Sequence, residues 1–309
     1  MTTDHPSTPR TASRRTVLTA FAAAATAGTP LLAQLGSATP AHAATAAAAA
    51  DVEYASNTVL YRELAGQEGT TFSRRFRRHE QFDTSMTAVA PFRRTAILAL
   101  HGGGIEIGTS ELCLGIAGYS PGDAAGAPIL PTVHDYWMFE GLLSAGNKDL
   151  HVTSKNCDDH VALATAASHL NVLSLHGCTF DQLRLPAGSY PSAGDRRVAV
   201  VGGLNKAFRT ALVTELNAAG FPAIDSLAPA WASLLSEYNG DHTNNPCNRT
   251  MLGMGAQLEL TTELRKSLFT DPDSRGGRAA TWDKNGEFVK FRDACRRAIE
   301  TVEAGQPLL

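Results

Sequence analysis

The segment Ala96-Ile97-Leu98-Ala99-Leu100-His101-Gly102-Gly103-Gly104-Ile105-Glu106 constrains this chain more than any other. Its first five residues form an uninterrupted apolar run that ends at a turn signal, the pattern of a buried strand over 96–100. The run closes with an imidazole, three glycines and a carboxylate. Glycine has no Cβ, so the backbone beyond the strand can fold back tightly. His101 and Glu106 can then turn toward one point. An imidazole and a carboxylate on one loop are half of a zinc site; a tight turn that caps a helix accounts for the same residues equally well.

A second apolar run, Val172-Leu173-Ser174-Leu175, ends in His176-Gly177. Two histidines thus sit at the C-terminal ends of two predicted strands, the edge of an open α/β sheet where strand ends converge on ligands. A lone histidine there is more often a cap or a core hydrogen-bonder. Two of them, with a glycine loop and a carboxylate, match catalytic zinc, which takes three protein ligands and leaves a fourth position for water or substrate. The third element is Gln257-Leu258-Glu259-Leu260. Strand alternation puts Gln257 and Glu259 on one face, and a carboxylate between leucines is costly to bury unless it is paired or functional. Facing a metal centre, Glu259 can accept a proton from water and return it to a leaving amine. On an edge strand it would simply face solvent.

The ends and the overall charge narrow the function. Ser13-Arg14-Arg15-Thr16-Val17-Leu18 runs into a weakly apolar, alanine-rich stretch, and Ala41-His42-Ala43 offers a signal-peptidase site. Gly28 and Pro30 break the stretch, which falls short of the ~20 strongly apolar residues of a membrane anchor. Residues 1–43 therefore read as a twin-arginine signal peptide of an exported, secreted protein. Residues 44–70 read as a flexible spacer, alanine-rich at 44–50, and 71–309 as one domain. Without the signal the chain keeps 24 basic and 29 acidic residues, a net charge of about −5. That excludes a general nucleic-acid binder. No membrane association is expected after signal cleavage. Cys113, Cys157, Cys178, Cys247 and Cys295 are too few and too scattered for a disulfide scaffold. Their odd number leaves at least one unpaired or intermolecular, and without a CxxC pair a four-thiolate zinc site is not expected.

Periodicity predicts strands over 96–100, 171–175, 197–201 and 256–260, and helices over 110–117, 159–170, 205–219 and 286–303. The last helix carries Phe288, Phe291, Ala294, Cys295 and Ile299 on one face. This alternation predicts a single α/β domain, a mixed open sheet with helices on both faces. Residues 118–131 and 271–278 read as mobile rim loops. Ser73-Arg74-Arg75-Phe76-Arg77-Arg78 reads as a solvated edge strand guarded by charge, or less often as a polyanion-binding run. His134, His160 and His242 lie in polar stretches and read as solvated.

The runs His101-Gly102-Gly103-Gly104-Ile105-Glu106, Gly108-Thr109-Ser110-Glu111, Phe139-Glu140-Gly141, Asn147, Leu150-His151-Val152-Thr153-Ser154, Ser174-Leu175-His176-Gly177 and Gln257-Leu258-Glu259-Leu260 with Leu264-Arg265 resemble the phage-type poly-γ-glutamate hydrolases. These are zinc enzymes with a fold similar to the zinc carboxypeptidases. The resemblance extends in consistent order from about Phe72 to Arg265. It implies His101, Glu106 and His176 as ligands of Zn2+ and Glu259 as general base. The chain departs from the family pattern at Ile107, where a proline is usual, at Cys157-Asp158-Asp159-His160, and in the longer 118–131 loop.

The reaction so implied is metal-assisted hydrolysis of γ-glutamyl amide bonds. Its oxyanion needs a cation, for which Arg249, beside Asn248, and Arg265 are the candidates. The partner is an anionic γ-linked glutamate polymer or peptide with a carboxylate on every unit, so the groove calls for local arginines. Asn248, Arg249, Arg265 and His151 are the candidate substrate-binding residues, and His151 equally suits a supporting or capping role. Two other readings compete. One is a zinc amidase acting on cell-wall peptides or small N-acyl amino acids, which calls for a closed pocket. The other is a non-catalytic, metal-stabilised polyanion-binding module, with a fourth ligand from His151 or Asp158.

Overall fold

The computed structural model describes residues 54–78, 93–123, 126–186, 188, 190 and 194–306. The expected signal peptide, 1–43, and the alanine-rich stretch 44–50 lie outside the described residues. Among the described residues seven strands build one mixed sheet: β1 (Phe72–Arg77), β2 (Thr95–Gly103), β3 (Tyr136–Gly141), β4 (Asn171–Cys178), β5 (Ala199–Gly202), β6 (Ala223–Asp225) and β7 (Ala256–Thr261). Their order is β1-β3-β2-β4-β7-β5-β6. The four central strands, β3, β2, β4 and β7, run parallel. Beyond them, β1 is antiparallel to β3 and β5 to β7, and β6 runs parallel to β5.

Strand alternation divides the core into two layers. Ile97, Ala99, Leu173, Leu175, Leu258 and Leu260 pack with α2 (Thr109–Ala117), α4 (Lys206–Ala218) and α7 (Glu287–Ala304) on one face. Ala96, Leu98, Leu100 and Val172 pack on the other with α1 (Asn57–Glu63) and α3 (His160–Ala167). A sheet covered on both faces needs near-continuous apolar strands, which is why β2 and β4 read so plainly in the sequence. The mixed open α/β sheet with helices on both faces is the architecture expected. Phe288, Phe291, Ala294, Cys295 and Ile299 of α7 are all buried, as their spacing requires.

Several expectations need correction. Residues 54–70, counted with the flexible spacer, are folded. Ser56 caps α1 by accepting from the Val59 amide, and Leu60 is fully buried. Tyr61 stacks on Phe72 with ring centroids 5.4 Å apart, so the segment belongs to the core. Residues 271–278 are not simply a rim loop, because α6 (Arg275–Thr281) begins there, capped by Ser274. His134 is not solvated: it is buried, with Nδ1 3.1 Å from the Thr95 carbonyl oxygen. Burial pushes its pKa down to about 3, so it is neutral. The arginine run is the edge strand β1. Arg75 lies bidentate on the buried Glu140, and Arg74 bridges Glu68 and Asp159. All five cysteines are free and buried.

The α6 correction carries energy. Arg278, nearly inaccessible, donates from Nε to Glu111 of α2 at 2.9 Å. Removing one partner of a buried pair strands the other charge. Arg278→Met is therefore expected to lower the unfolding free energy by about 3–5 kcal/mol, read as a lower urea midpoint. An unchanged midpoint would mean that Glu111 does not depend on this partner.

Candidate metal centre

β2 and β4 are neighbours and end at the same edge of the sheet, which brings His101 and His176 together. The chain after His101 turns sharply: Gly103 sits at φ +65°, and a Cβ there would lie 2.3 Å from the Gly141 carbonyl oxygen. Only glycine fits. The Glu106 amide donates to the His101 carbonyl at 2.9 Å, closing the loop. The Thr109 hydroxyl donates to the Glu106 carbonyl at 2.8 Å and holds the turn against the start of α2.

The result is a compact donor set. His101 Nδ1 is 3.0 Å from Glu106 Oε1 and 3.2 Å from His176 Nδ1. One ligand atom from each of the three residues lies within 4.8 Å of the others. The outer ring nitrogens are held from behind. His101 Nε2 donates to the Val152 carbonyl at 2.8 Å, which fixes the tautomer that presents Nδ1 inward. His176 Nε2 meets Ser174 Oγ at 2.9 Å. Glu106 Oε2 accepts from the Gly177 amide at 2.7 Å.

The charges at the centre are interdependent. Burial would raise the Glu106 pKa, but His101, His176 and Arg265 together draw it down to about 2. Burial would lower His101, yet the charge and hydrogen bond of Glu106 outweigh it and raise the pKa. His176 is pushed down to about 3 by burial and by the neighbouring His101 charge. One carboxylate and two inward nitrogens, each tethered from outside, suit a divalent metal of zinc type.

Glu259 lies on β7 in direct register with His176 on β4, and paired residues on adjacent strands share a face. It is half-buried, and β7 is flanked by β4 and β5, so it is not an edge residue. Gln257 shares that face: its Nε2 donates to Glu259 Oε1 at 3.2 Å, and its Oε1 accepts from Asn245 Nδ2 at 2.7 Å. Burial and the nearby Glu106 charge raise the Glu259 pKa well above the ordinary carboxyl value, against the pull of Arg265.

The expected substrate-binding residues separate. His151 comes to the centre, its ring 3.9 Å from that of His101 between centroids and its Nε2 3.9 Å from Glu106 Oε1. The charge of His101 and burial push its pKa down to about 4. It is not one of the three converging ligands. Asp158 is exposed and accepts from the Thr58 amide at 2.8 Å, so neither proposed fourth ligand joins the set.

Arg265 is buried, and its guanidinium is taken up by carbonyl oxygens of Leu260, Ile107 and Cys178 and by the Thr262 hydroxyl. It braces the loops behind Glu106. Asn248 is buried and tied to backbone, with Nδ2 on the Gly240 and His242 carbonyls and Oδ1 accepting from Leu204 and Gly255. Arg249 is exposed and does not line the clefts at the centre. Sequence reasoning missed Ser174 and Val152. Ser174 is two residues before a ligand on one strand, hence on its face, and that signal was available.

Two clefts meet at the centre. One, about 330 Å³, is lined by His176, Gln257, Glu259, Tyr238, Asn245 and Lys155, among others. The other, about 700 Å³, is lined by Ile105, Ile107, Lys148, Thr179, Thr262 and Arg265, among others. Both share Glu106, His151, Thr153 and Gly177, so together they form an open trough across the metal centre.

The family model described as poly-gamma-glutamate hydrolase matches residues 70–294. UPF0714 protein YndL of Bacillus subtilis (strain 168) is 33% identical over 204 residues, 66% of this chain and 66% of YndL. The SPbeta prophage-derived UPF0714 protein YoqZ of the same organism is 33% identical over 180 residues, 57% of this chain and 52% of YoqZ. The chain thus spans just under two thirds of the first relative and about half of the second. Among solved structures, a bacteriophage poly-gamma-glutamate hydrolase shares the fold with a TM-score of 0.60 and 24% identity, over 82% of this chain and 99% of that one. An apo, zinc-free structure of YNDL superposes with a TM-score of 0.58 and 27% identity, over 80% and 96% of the two chains.

Ser174 tests the donor set. Ser174→Ala is expected to leave the fold intact and to weaken zinc binding by about 10–100-fold, measured by competition with a chromogenic chelator. Wild-type affinity would mean that the hydroxyl does not orient His176.

Proposed function

Because the chain belongs to the poly-gamma-glutamate hydrolase family, we propose that it hydrolyses γ-glutamyl amide bonds of poly-γ-glutamate with zinc held by His101, Glu106 and His176. The observation that carries this reading is the three converging side chains where the two clefts meet, with Glu259 in register beside His176. Bound there, zinc supplies Lewis acidity, polarising an amide carbonyl and lowering the pKa of water.

The remaining roles belong to the chain. Glu259 accepts the proton of the attacking water and returns it to the leaving amine. A carboxyl whose pKa is raised serves both directions better than an ordinary one. Gln257, anchored by Asn245, fixes the Glu259 carboxyl through its amide. Val152 and Ser174 hold the two imidazoles, and Arg265 holds the loops at Ile107 and Cys178. His151, half-buried and lining both clefts, can donate toward the developing oxyanion.

An open trough favours a polymer over the small closed-pocket substrates of a related amidase. A donor set of three with a raised carboxyl beside it favours catalysis over a purely structural metal. The reading includes export by the twin-arginine route, which carries folded proteins. It is supported by Ser13-Arg14-Arg15 and by five buried, unpaired thiols, as a chain folded in a reducing compartment would have. Among the described residues no helix is long and apolar enough to cross a membrane.

The test follows polymer length. Protein incubated with poly-γ-glutamate and zinc should shorten it, and a chelator should stop the shortening. Glu259→Gln should reduce turnover by about a hundred- to ten-thousandfold, the range of a lost general acid–base group, with zinc still bound. Substantial residual turnover would remove Glu259 from its role, and an unshortened polymer would move the substrate to smaller amides.

A further inference from the structure

A polymer with one carboxylate per unit needs cations along its trough, yet the arginines expected to supply them are spoken for. Arg265 spends its donors on three carbonyls and a hydroxyl. Arg249 lies away from both clefts. Arg74 and Arg75 are paired with carboxylates. Two lysines remain. Lys148 lines the larger cleft and Lys155 the smaller, both exposed. Among the described residues neither side chain has an ion-pair or hydrogen-bond partner.

Both lysines lie on one strap, residues 147–156, which crosses the metal centre. Its middle residues, His151 and Thr153, line both clefts. The strap is fixed at several points. Val152 accepts from the ligand His101, and the Asn147 amide locks to the Leu143 backbone through both its atoms. The amides of His151 and Asn156 close turns onto Lys148 and Thr153. A tethered backbone therefore presents one lysine to each of the two clefts that meet at the centre, and preorganisation of this kind lowers the cost of binding.

We infer that Lys148 and Lys155 bind the α-carboxylates of the two glutamate units flanking the scissile bond. The inference rests on the reading of the substrate as a γ-linked glutamate chain. Each lysine meets one carboxylate, so the spacing of charge along the chain sets its register over the metal. Glu237 and Asp241 line the Lys155 cleft as well. They repel further carboxylates there, which makes Lys155 the more demanding of the two contacts.

The experiment measures binding apart from turnover. Zinc-loaded Glu259→Gln protein is titrated with γ-linked tri-glutamate by calorimetry at low salt, alone and with Lys148→Ala, Lys155→Ala or both. Each alanine should weaken binding about three- to tenfold, the range for one partly exposed charge-assisted contact, with Lys155→Ala the larger effect. The double variant should lose most of its salt dependence, and Lys→Arg at each position should restore affinity. The α-methyl ester of the trimer should bind weakly and equally to all variants. Binding that is undiminished in the double variant, or absent from the parent protein, overturns the inference. Polymer shortening by the unsubstituted protein is scored alongside. Lysine-dependent binding without shortening sinks the proposed reaction and leaves the two contacts standing, and shortening with lysine-independent binding does the reverse.

Discussion

Everything at the sheet edge depends on two imidazole nitrogens, one from β2 and one from β4, aimed at each other across 3.2 Å with a carboxylate beside them. In a site of low polarity such an arrangement is costly unless positive charge sits within it. The surroundings are built to keep it nonetheless. A carbonyl and a hydroxyl fix the rings from outside, an amide fixes the carboxylate, and a fully engaged arginine locks the loops on which these groups stand. The parallel pairing of β2 with β4 and of β4 with β7 sets the spacing, and the glycine turn after β2 supplies the third donor. The fold works as a frame that holds repelling and attracting groups in one geometry.

Much of this was legible in the sequence where one physical requirement dominated. β2 and β4 are covered on both faces, so their apolar runs are unbroken, and the histidines that end them stand out. The Gln257–Glu259 alternation placed both side chains on one face because the period of a strand is two. What escaped depended on long-range partners. β3, with its aromatic run Tyr136-Trp137-Met138-Phe139, follows a polar stretch and carries no alternation, because its residues are buried on both faces. α1 is short and reads as part of a spacer until Leu60 and Tyr61 find Phe72 and Phe139. His134 reads as solvated from its neighbours in sequence, but its environment is set by Thr95 and Arg296, which are distant along the chain.

The substrate-binding residues show the same limit more sharply. Arg265 and Arg249 have the right chemistry for carboxylates, and their sequence neighbourhoods do not reveal how that chemistry is used. One is consumed by backbone oxygens and the other turns outward. Whether a cation is free is a property of three-dimensional partners, which no local pattern encodes. Which side chains converge was readable because metal ligation needs particular atoms; the availability of charge was not.

The five sealed thiols bear on how long such a molecule lasts. While the fold is intact, oxidants in the surrounding medium do not reach them, and no cross-link constrains the chain. Once the fold opens globally, five reactive sulfurs meet that medium together. They can then cross-link out of place before the seven-stranded sheet re-forms. In an oxidising environment the working lifetime is therefore governed by the rate of the first opening, and the equilibrium between folded and unfolded chains ceases to matter.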